Sequence, residues 1–174
     1  DYPTNGERVS RLITEVNWAG SVRGTDLDKL EHDPKDVFIE LQNKMARPIH
    51  MTDWLLIIET DRTRGALESN DKAGRDFYRS YRLPKRANGK PIYTNDYVII
   101  ARSNEGAFPN ADYVIEDLDL PTNAFRISVR DVDLRMIDSS GSMGERVFAG
   151  GWDLVSTRSM ERVQLIFTNQ GERE

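Results

Sequence analysis

"DVFIELQNKMARPIHMTDWLLIIE", Asp36 to Glu59, holds the reading of the whole chain. Two apolar runs flank a polar link that contains Pro48, and each run carries a carboxylate. The link, Lys44 to Asp53, suits a turn. The runs therefore read as strands of one central hairpin, Val37 to Asn43 and Trp54 to Thr60. Strand side chains alternate between faces. Val37, Ile39 and Leu41 then share one face, and Phe38, Glu40 and Gln42 the other. In the second run Trp54, Leu56 and Ile58 oppose Leu55, Ile57 and Glu59. Glu40 falls on the less apolar face, with Leu55 or Ile57 as its expected cross-strand neighbours. A lone carboxylate there is costly unless it is paired or stays wet.

The same period-2 signal extends outward. Arg8 to Trp18, Tyr78 to Leu83 and Tyr97 to Arg102 read as strands. Asp112 to Glu116, Ala124 to Val129, Val132 to Ile137, Gly144 to Phe148 and Gln164 to Thr168 are shorter candidates. Asn88-Gly89 centres a turn. Helical patterning is scarce. Thr25 to His32 suits one or two turns with Asp26 as N-cap, and glycines break the stretch from Arg62 to Tyr81. About nine or ten strands with turn signals between them predict an all-β sandwich or barrel. With no repeat or linker, residues 1–174 read as one domain.

Composition agrees with a folded chain. Apolar residues are 38% of 174, and they cluster in runs rather than scatter. The formal charge of -5 is mild and gives no global reason to expect nucleic-acid or membrane binding. Cysteine is absent, which excludes disulfides, thiolate metal sites and a Cys nucleophile. No run approaches the roughly 20 apolar residues of a membrane span. The chain begins at Asp1 without Met or a signal peptide, as a mature or trimmed form would.

Three sets of residues carry chemistry. The first is Glu15, Glu40, Glu161 and Arg162. Two carboxylates could serve general acid and base roles. Carboxylates on half-apolar strands suit an architectural Arg pair better, and Arg162 is the expected partner of Glu40. The second set is Asp26, Asp28, Glu31, Asp33 and Asp36 in "TDLDKLEHDPKD". These are oxygen ligands of the Ca²⁺ type, but the order lacks an EF-hand frame and reads as a solvated face. The third is "RDFYRSYRLPKR", where Arg75, Arg79, Arg82, Lys85 and Arg86 interleave with Phe77, Tyr78 and Tyr81. Charge plus rings is what single-stranded nucleic acid or an acidic polymer requires. The alternative is an edge strand with Tyr81 and Leu83 inward and arginines outward, where charge discourages edge pairing.

Other catalytic patterns fail. Ser139, Ser140 and Ser142 lie in a Gly/Ser turn without a nucleophile elbow. His32 and His50 are the only histidines. The glycine-rich "GSMGERVFAGG" lacks phosphate-loop order. Trp18 and Trp54 suit core or loop anchors, and Trp152, flanked by glycine, is expected to be exposed. The reading includes no metal and no cofactor.

Taken in order, "RLITEVNWAGS", "DVFIELQN", "MTDWLLI" and "GGWDLVSTRSMERV" resemble the lamin tail domain in its bacterial form. The resemblance rests on Glu15, Trp18 and Gly20; on Ile39, Glu40, Leu41 and Asn43; on Asp53 and Trp54; and on Ser159, Met160, Glu161 and Arg162. It spans nearly the whole chain. It implies an immunoglobulin-like β-sandwich, with Glu15, Glu40, Asn43, Trp54, Met160 and Arg162 structural. It also implies a non-enzymatic binding or scaffolding module of an exported or cell-envelope protein, with another protein as partner. Val22 to Asp36 and Asp61 to Asp76 stand outside the family pattern as two polar insertions. Two alternatives remain open. One is polyanion or nucleic-acid binding through Arg75, Tyr78, Arg79, Tyr81, Arg82, Lys85, Arg86 and Trp152. The other is an accessory domain whose catalytic partner lies elsewhere.

Overall fold

The two apolar runs of residues 36–59 form strands, but they do not pair with each other. In the computed structural model, which describes residues 12–60, 78–122, 124–141, 151–152 and 156–161, β4 is Phe38–Gln42 and β5 is Leu55–Glu59. Around them run β1 (Ile13–Asn17), β2 (Ser21–Arg23), a 3-10 turn (Leu27–Lys29), β3 (Glu31–Asp33), β6 (Tyr78–Arg82), β7 (Tyr97–Ala101) and β8 (Tyr113–Val114). After these come β9 (Arg126–Arg130), β10 (Met136–Gly141), β11 (Gly151–Trp152), β12 (Thr157–Arg158) and β13 (Met160–Glu161). One sheet has the order β13-β1-β4-β7-β8 and the other β10-β9-β5-β6. The expected central hairpin is therefore corrected. The link 43–54 is an arch that carries the chain from one sheet to the other, and β4 lies between β1 and β7.

The fold is an all-β, immunoglobulin-like sandwich. Ile39, Leu41, Val98 and Ile100 of the first sheet pack in one core cluster with Leu56, Ile58, Ile127 and Val129 of the second. Burying each such side chain contributes about 1.5–3 kcal/mol. Trp54 and Tyr81 belong to the same cluster. A smaller cluster of Phe38, Ala101 and Ala111 has Ile99, Phe108 and Val114 packed against it. There the Phe38 and Phe108 rings meet edge to face at 4.5 Å.

The arch has a physical cause. Asn43 is 1% exposed, and its amide donates to the carbonyls of Arg47 (3.1 Å) and Ile92 (2.9 Å). Its Oδ1 accepts from the Met45 N–H at 2.9 Å. Three bonds to local and distant backbone favour an irregular path over a hairpin. Ile49 and Ile92 exchange backbone bonds, so the arch is tied to the 83–96 link. Asp53, at φ 66, turns the chain into Trp54.

Residues 22–36, read as a polar insertion, contain the β3 half of a small hairpin with β2 and the expected short helical turn capped by Asp26. The expected strand at 132–137 begins later, because residues 131–134 make a turn held by the Leu134 N–H bond to the Asp131 carbonyl (3.0 Å). Ser139, Ser140 and Gly141 lie in β10 rather than in a loop. The expected strands at 144–148 and 164–168 lie outside the described residues. Across the sandwich, Asp138 Oδ2 on β10 accepts from the N–H groups of Leu12 (2.7 Å) and Ile13 (2.9 Å). That carboxylate fastens the start of β1 to the opposite sheet.

Candidate functional site

Three of the singled-out glutamates meet on three adjacent strands. Glu15 of β1 stands opposite Glu40 of β4 on one side and Glu161 of β13 on the other. Val16 stands opposite Met160, which packs against the core. Like charges in register disfavour pairing, and hydroxyls moderate the conflict. Thr14 Oγ1 donates to Glu40 Oε1 at 2.7 Å, and Ser159 Oγ donates to Glu15 Oε1. Glu40 therefore bonds a threonine of its neighbouring strand, and its other cross-strand neighbour is Ile99, not Leu55 or Ile57. Arg162, the partner expected for Glu40, lies outside the described residues.

The acidic set disperses. Asp26 caps the 3-10 turn and lies 3.8 Å from Lys29 Nζ. Asp33 accepts from the Lys35 N–H at 2.9 Å and faces Arg23 at 3.5 Å. Asp28 and Glu31 are exposed. Asp36, 7% exposed, is a structural hub: both oxygens accept from the Ala107 N–H at 3.0 Å, Ser21 Oγ donates to it, and Arg23 lies 3.6 Å away. A β-carbon on Gly106 would collide with this carboxylate, so glycine is what lets the 102–111 loop approach. Among the described residues no group of three or more His, Asp or Glu is placed to hold a metal ion. His32 Nε2 lies 2.7 Å from the Ala19 carbonyl, and His50 is exposed.

The basic-aromatic segment splits between surfaces. β6 is an edge strand of its sheet, with Tyr78 and Arg82 on the outer face. Tyr81 and Leu83 are buried. The Tyr81 hydroxyl donates to the Asp117 carbonyl (2.9 Å) and accepts from the Asp119 N–H (3.0 Å). Burial raises its pKa above the ordinary 10.0, with the Asp119 bond opposing. Tyr113 is raised for the same first reason, burial. Arg86 is withdrawn from the surface too. It pairs with Asp112 at 2.7 Å, the two side chains 13% and 18% exposed, and it donates to the Pro91 carbonyl at 3.0 Å. Tyr81 and Arg86 are thus architectural, which corrects their place in a continuous binding strip. Arg79 and Lys85 remain exposed. Arg75 lies outside the described residues. Trp152 sits in β11, opposite Thr157, and not in a loop.

Two features that the sequence reading did not single out lie at the arch end of the sandwich. The first is the turn between β9 and β10. Asp131 Oδ1 accepts from the Asp133 and Arg135 N–H groups, each at 2.9 Å, and Arg130 donates to the Leu134 carbonyl at 2.9 Å. Leu134 is held at φ 63, a conformation that costs a leucine about 1–2 kcal/mol. Val132, Leu134 and Met136 are nevertheless exposed, Leu134 at 57%. The available signal was Asp131 and Asp133 two residues apart, but Val132 to Ile137 reads as a strand. The second is the pair of loops joined at Ile49 and Ile92, which bears Lys44, Arg47, Lys90 and Tyr93 together with Lys85 of the basic-aromatic segment, with Tyr97 of β7 next in the chain. The two pairs of cations lie far apart in sequence, and the arch joins the loops that bear them.

No protein-family model matches the chain, and no curated protein matches it. Among the described residues no helix is long and apolar enough to cross a membrane.

Proposed function

We propose that this chain is a non-enzymatic binding module of an exported or cell-envelope protein, of the lamin tail type, and that a protein partner docks on the turn between β9 and β10. The observation that carries the docking site is Leu134: an exposed leucine kept in a left-handed conformation by a hydrogen-bonded turn, with Val132 and Met136 beside it. Strain retained where an apolar side chain meets solvent is a mark of a working surface. The rigid turn also lowers the ordering cost of association.

What supports the non-enzymatic part is the use made of the reactive groups. Asp36, Asp112 and Asp138 bind backbone N–H groups, and His32 lies against a backbone carbonyl. What supports the family assignment is the order of the motifs and the meeting of Glu15, Glu40, Met160 and Glu161 on β4, β1 and β13. The exported setting follows from the resemblance.

A photo-crosslinking residue placed at Leu134 or Met136, in cells that make the protein, is expected to trap a discrete protein adduct. The same residue at the exposed Glu31, at the other end of the sandwich, is expected to trap none. Equal trapping at both ends, or none at either, would remove the docking site.

A further inference from the structure

The arch end carries a second surface, independent of the turn that holds Leu134. The arch, residues 43–54, and the link 83–96 are sewn together by backbone bonds. Ile49 and Ile92 exchange two, the Asn95 N–H donates to the Asn43 carbonyl (2.7 Å), and Thr94 Oγ1 donates to the Met45 carbonyl (2.8 Å). This seam joins the loop that bears exposed Lys44 and Arg47 to the loop that bears exposed Lys85 and Lys90. The Arg47 and Ile92 carbonyls share the Asn43 amide, which makes the two loops immediate neighbours. The Lys85 stem packs over Gly89, its Cε 3.9 Å from the space a β-carbon would take. None of these four cations forms an ion pair among the described residues.

The buried pairing of Arg86 with Asp112 explains why they stay available. One carboxylate beside the 83–96 link, Asp112, is already paired with an arginine from within that link. Asp96 is exposed, yet it accepts from the Tyr93 N–H at 3.1 Å and so is partly engaged. Tyr93 on the 83–96 link and Tyr97 at the start of β7 are 53% and 55% exposed. A local excess of positive charge beside two bare rings, on a chain whose formal charge is -5, is a binding surface by charge complementarity.

We infer that the paired loops bind an acidic polysaccharide, with Lys44, Arg47, Lys85 and Lys90 facing its carboxylates and Tyr93 and Tyr97 lying against sugar faces. The surroundings select among polyanions. Two strand pairs beyond Tyr97 and Gln42, Glu40 begins the row of carboxylates that continues to Glu15 and Glu161. Two residues along a strand span about 7 Å, within the reach of surface charge at physiological salt. Any polymer must cross the end of the sandwich without running up that face. A densely charged polymer, such as nucleic acid with a phosphate at every residue, meets the acidic row and the net negative charge at higher cost. A uronate glycan spaces its charges a sugar or two apart, and its ring faces match tyrosines. Lysines in the majority supply point charges without the planar fork that guanidinium offers to phosphate.

The test uses the intact chain and oligogalacturonate, with a neutral glucan and a single-stranded oligonucleotide carrying the same number of charges. Binding is followed by calorimetry at low and physiological salt, with circular dichroism to confirm that each variant is folded. Oligogalacturonate is expected to bind, with affinity falling as salt rises, and the neutral glucan is expected not to bind. Lys85→Glu combined with Lys90→Glu should weaken it by roughly tenfold or more, and Tyr93→Ala should weaken it at both salt concentrations. Lys35→Glu, an exposed lysine at the other end, should leave affinity unchanged. Failure of the folded chain to bind oligogalacturonate at low salt would overturn the inference. So would equal loss in Lys35→Glu, and so would tighter binding of the oligonucleotide.

Discussion

The two ends of the sandwich are closed by the same device in two chemistries. At the arch end the neutral amide of Asn43 gathers the Arg47 and Ile92 carbonyls and the Met45 N–H. At the other end the carboxylate of Asp36 gathers the Ala107 N–H, the Ser21 hydroxyl and Arg23. A neutral post leaves the charges around it uncommitted, and the arch end presents bare lysines. A charged post recruits a cation and demands close approach, and the Asp36 end uses Arg23 and needs Gly106. The choice of post thus decides what each end has left to offer a partner.

The comparison breaks first at Asn43. Asn43→Ala removes three bonds at once and leaves the Arg47 carbonyl and the Met45 N–H without them. An unmade buried bond costs about 1–3 kcal/mol, so a loss of about 3 kcal/mol is expected in urea unfolding. Asp36→Ala should cost less, about 2 kcal/mol, because Ser21 and Arg23 are only part-buried and can turn to water. The sharper measurement is a cycle with Gly106→Ala. The added methyl collides with the Asp36 carboxylate, so Gly106→Ala should destabilise the natural chain more than it destabilises the Asp36→Ala variant. Additive losses would mean that the loop is not seated on that carboxylate.

These two posts also mark how far the sequence was legible. Strand existence came through wherever alternation or a short apolar run was clear: β4, β5, β6 and β7 lie within the stretches read as strands. Alternation says which face a residue takes, but it is silent on which strand lies alongside. The link of residues 44–53 therefore passed for a turn, when Asn43 and the Ile49–Ile92 pairing make it an arch. The same gap misplaced the neighbours of Glu40. Arg86 looked like surface charge because its partner, Asp112, is supplied by a segment far along the chain. Lys44, Arg47 and Lys90 were not singled out for that reason too: the two loops that bear them are joined only through tertiary bonds. Leu134 was missed because Val132 to Ile137 alternates well enough to pass for a strand.

Tyr81 separates the two kinds of post in another way. Its hydroxyl clamps the 117–119 backbone as Asn43 clamps the arch, but it can ionise. Burial holds its pKa above the ordinary 10.0 in the folded chain. The folded state therefore keeps its proton where the unfolded state has lost it. The stability this represents is fully present below about pH 10 and is lost as pH rises from there through the folded pKa. Tyr81→Phe is expected to cost about 1 kcal/mol at neutral pH and to flatten the alkaline limb of a thermal-midpoint profile. Tyr113, raised by burial as well, keeps a residual slope. An unchanged alkaline limb in Tyr81→Phe would assign that limb to other groups.

The smallest expected effect has the opposite sign, and it bears on function most directly. Leu134 holds φ 63 in a turn whose hydrogen bonds come from Asp131, Arg130 and the backbone, not from the leucine side chain. The left-handed conformation costs leucine about 1–2 kcal/mol, and asparagine tolerates it far better. Because the leucine is 57% exposed, little burial is lost on replacement. Leu134→Asn should therefore stabilise the chain, by about 0.5–1 kcal/mol, a gain of the size found when a residue is matched to its backbone conformation. If the turn were only a connection, such a change would be free. If the exposed leucine is the contact for a protein partner, the variant should be more stable and yet lose the adduct trapped from Met136. A stabilised variant that still yields that adduct would leave the strain at Leu134 without a functional reason. A destabilised one would show that the turn needs the leucine for packing, and the contrast between the two ends would then rest on their charges alone.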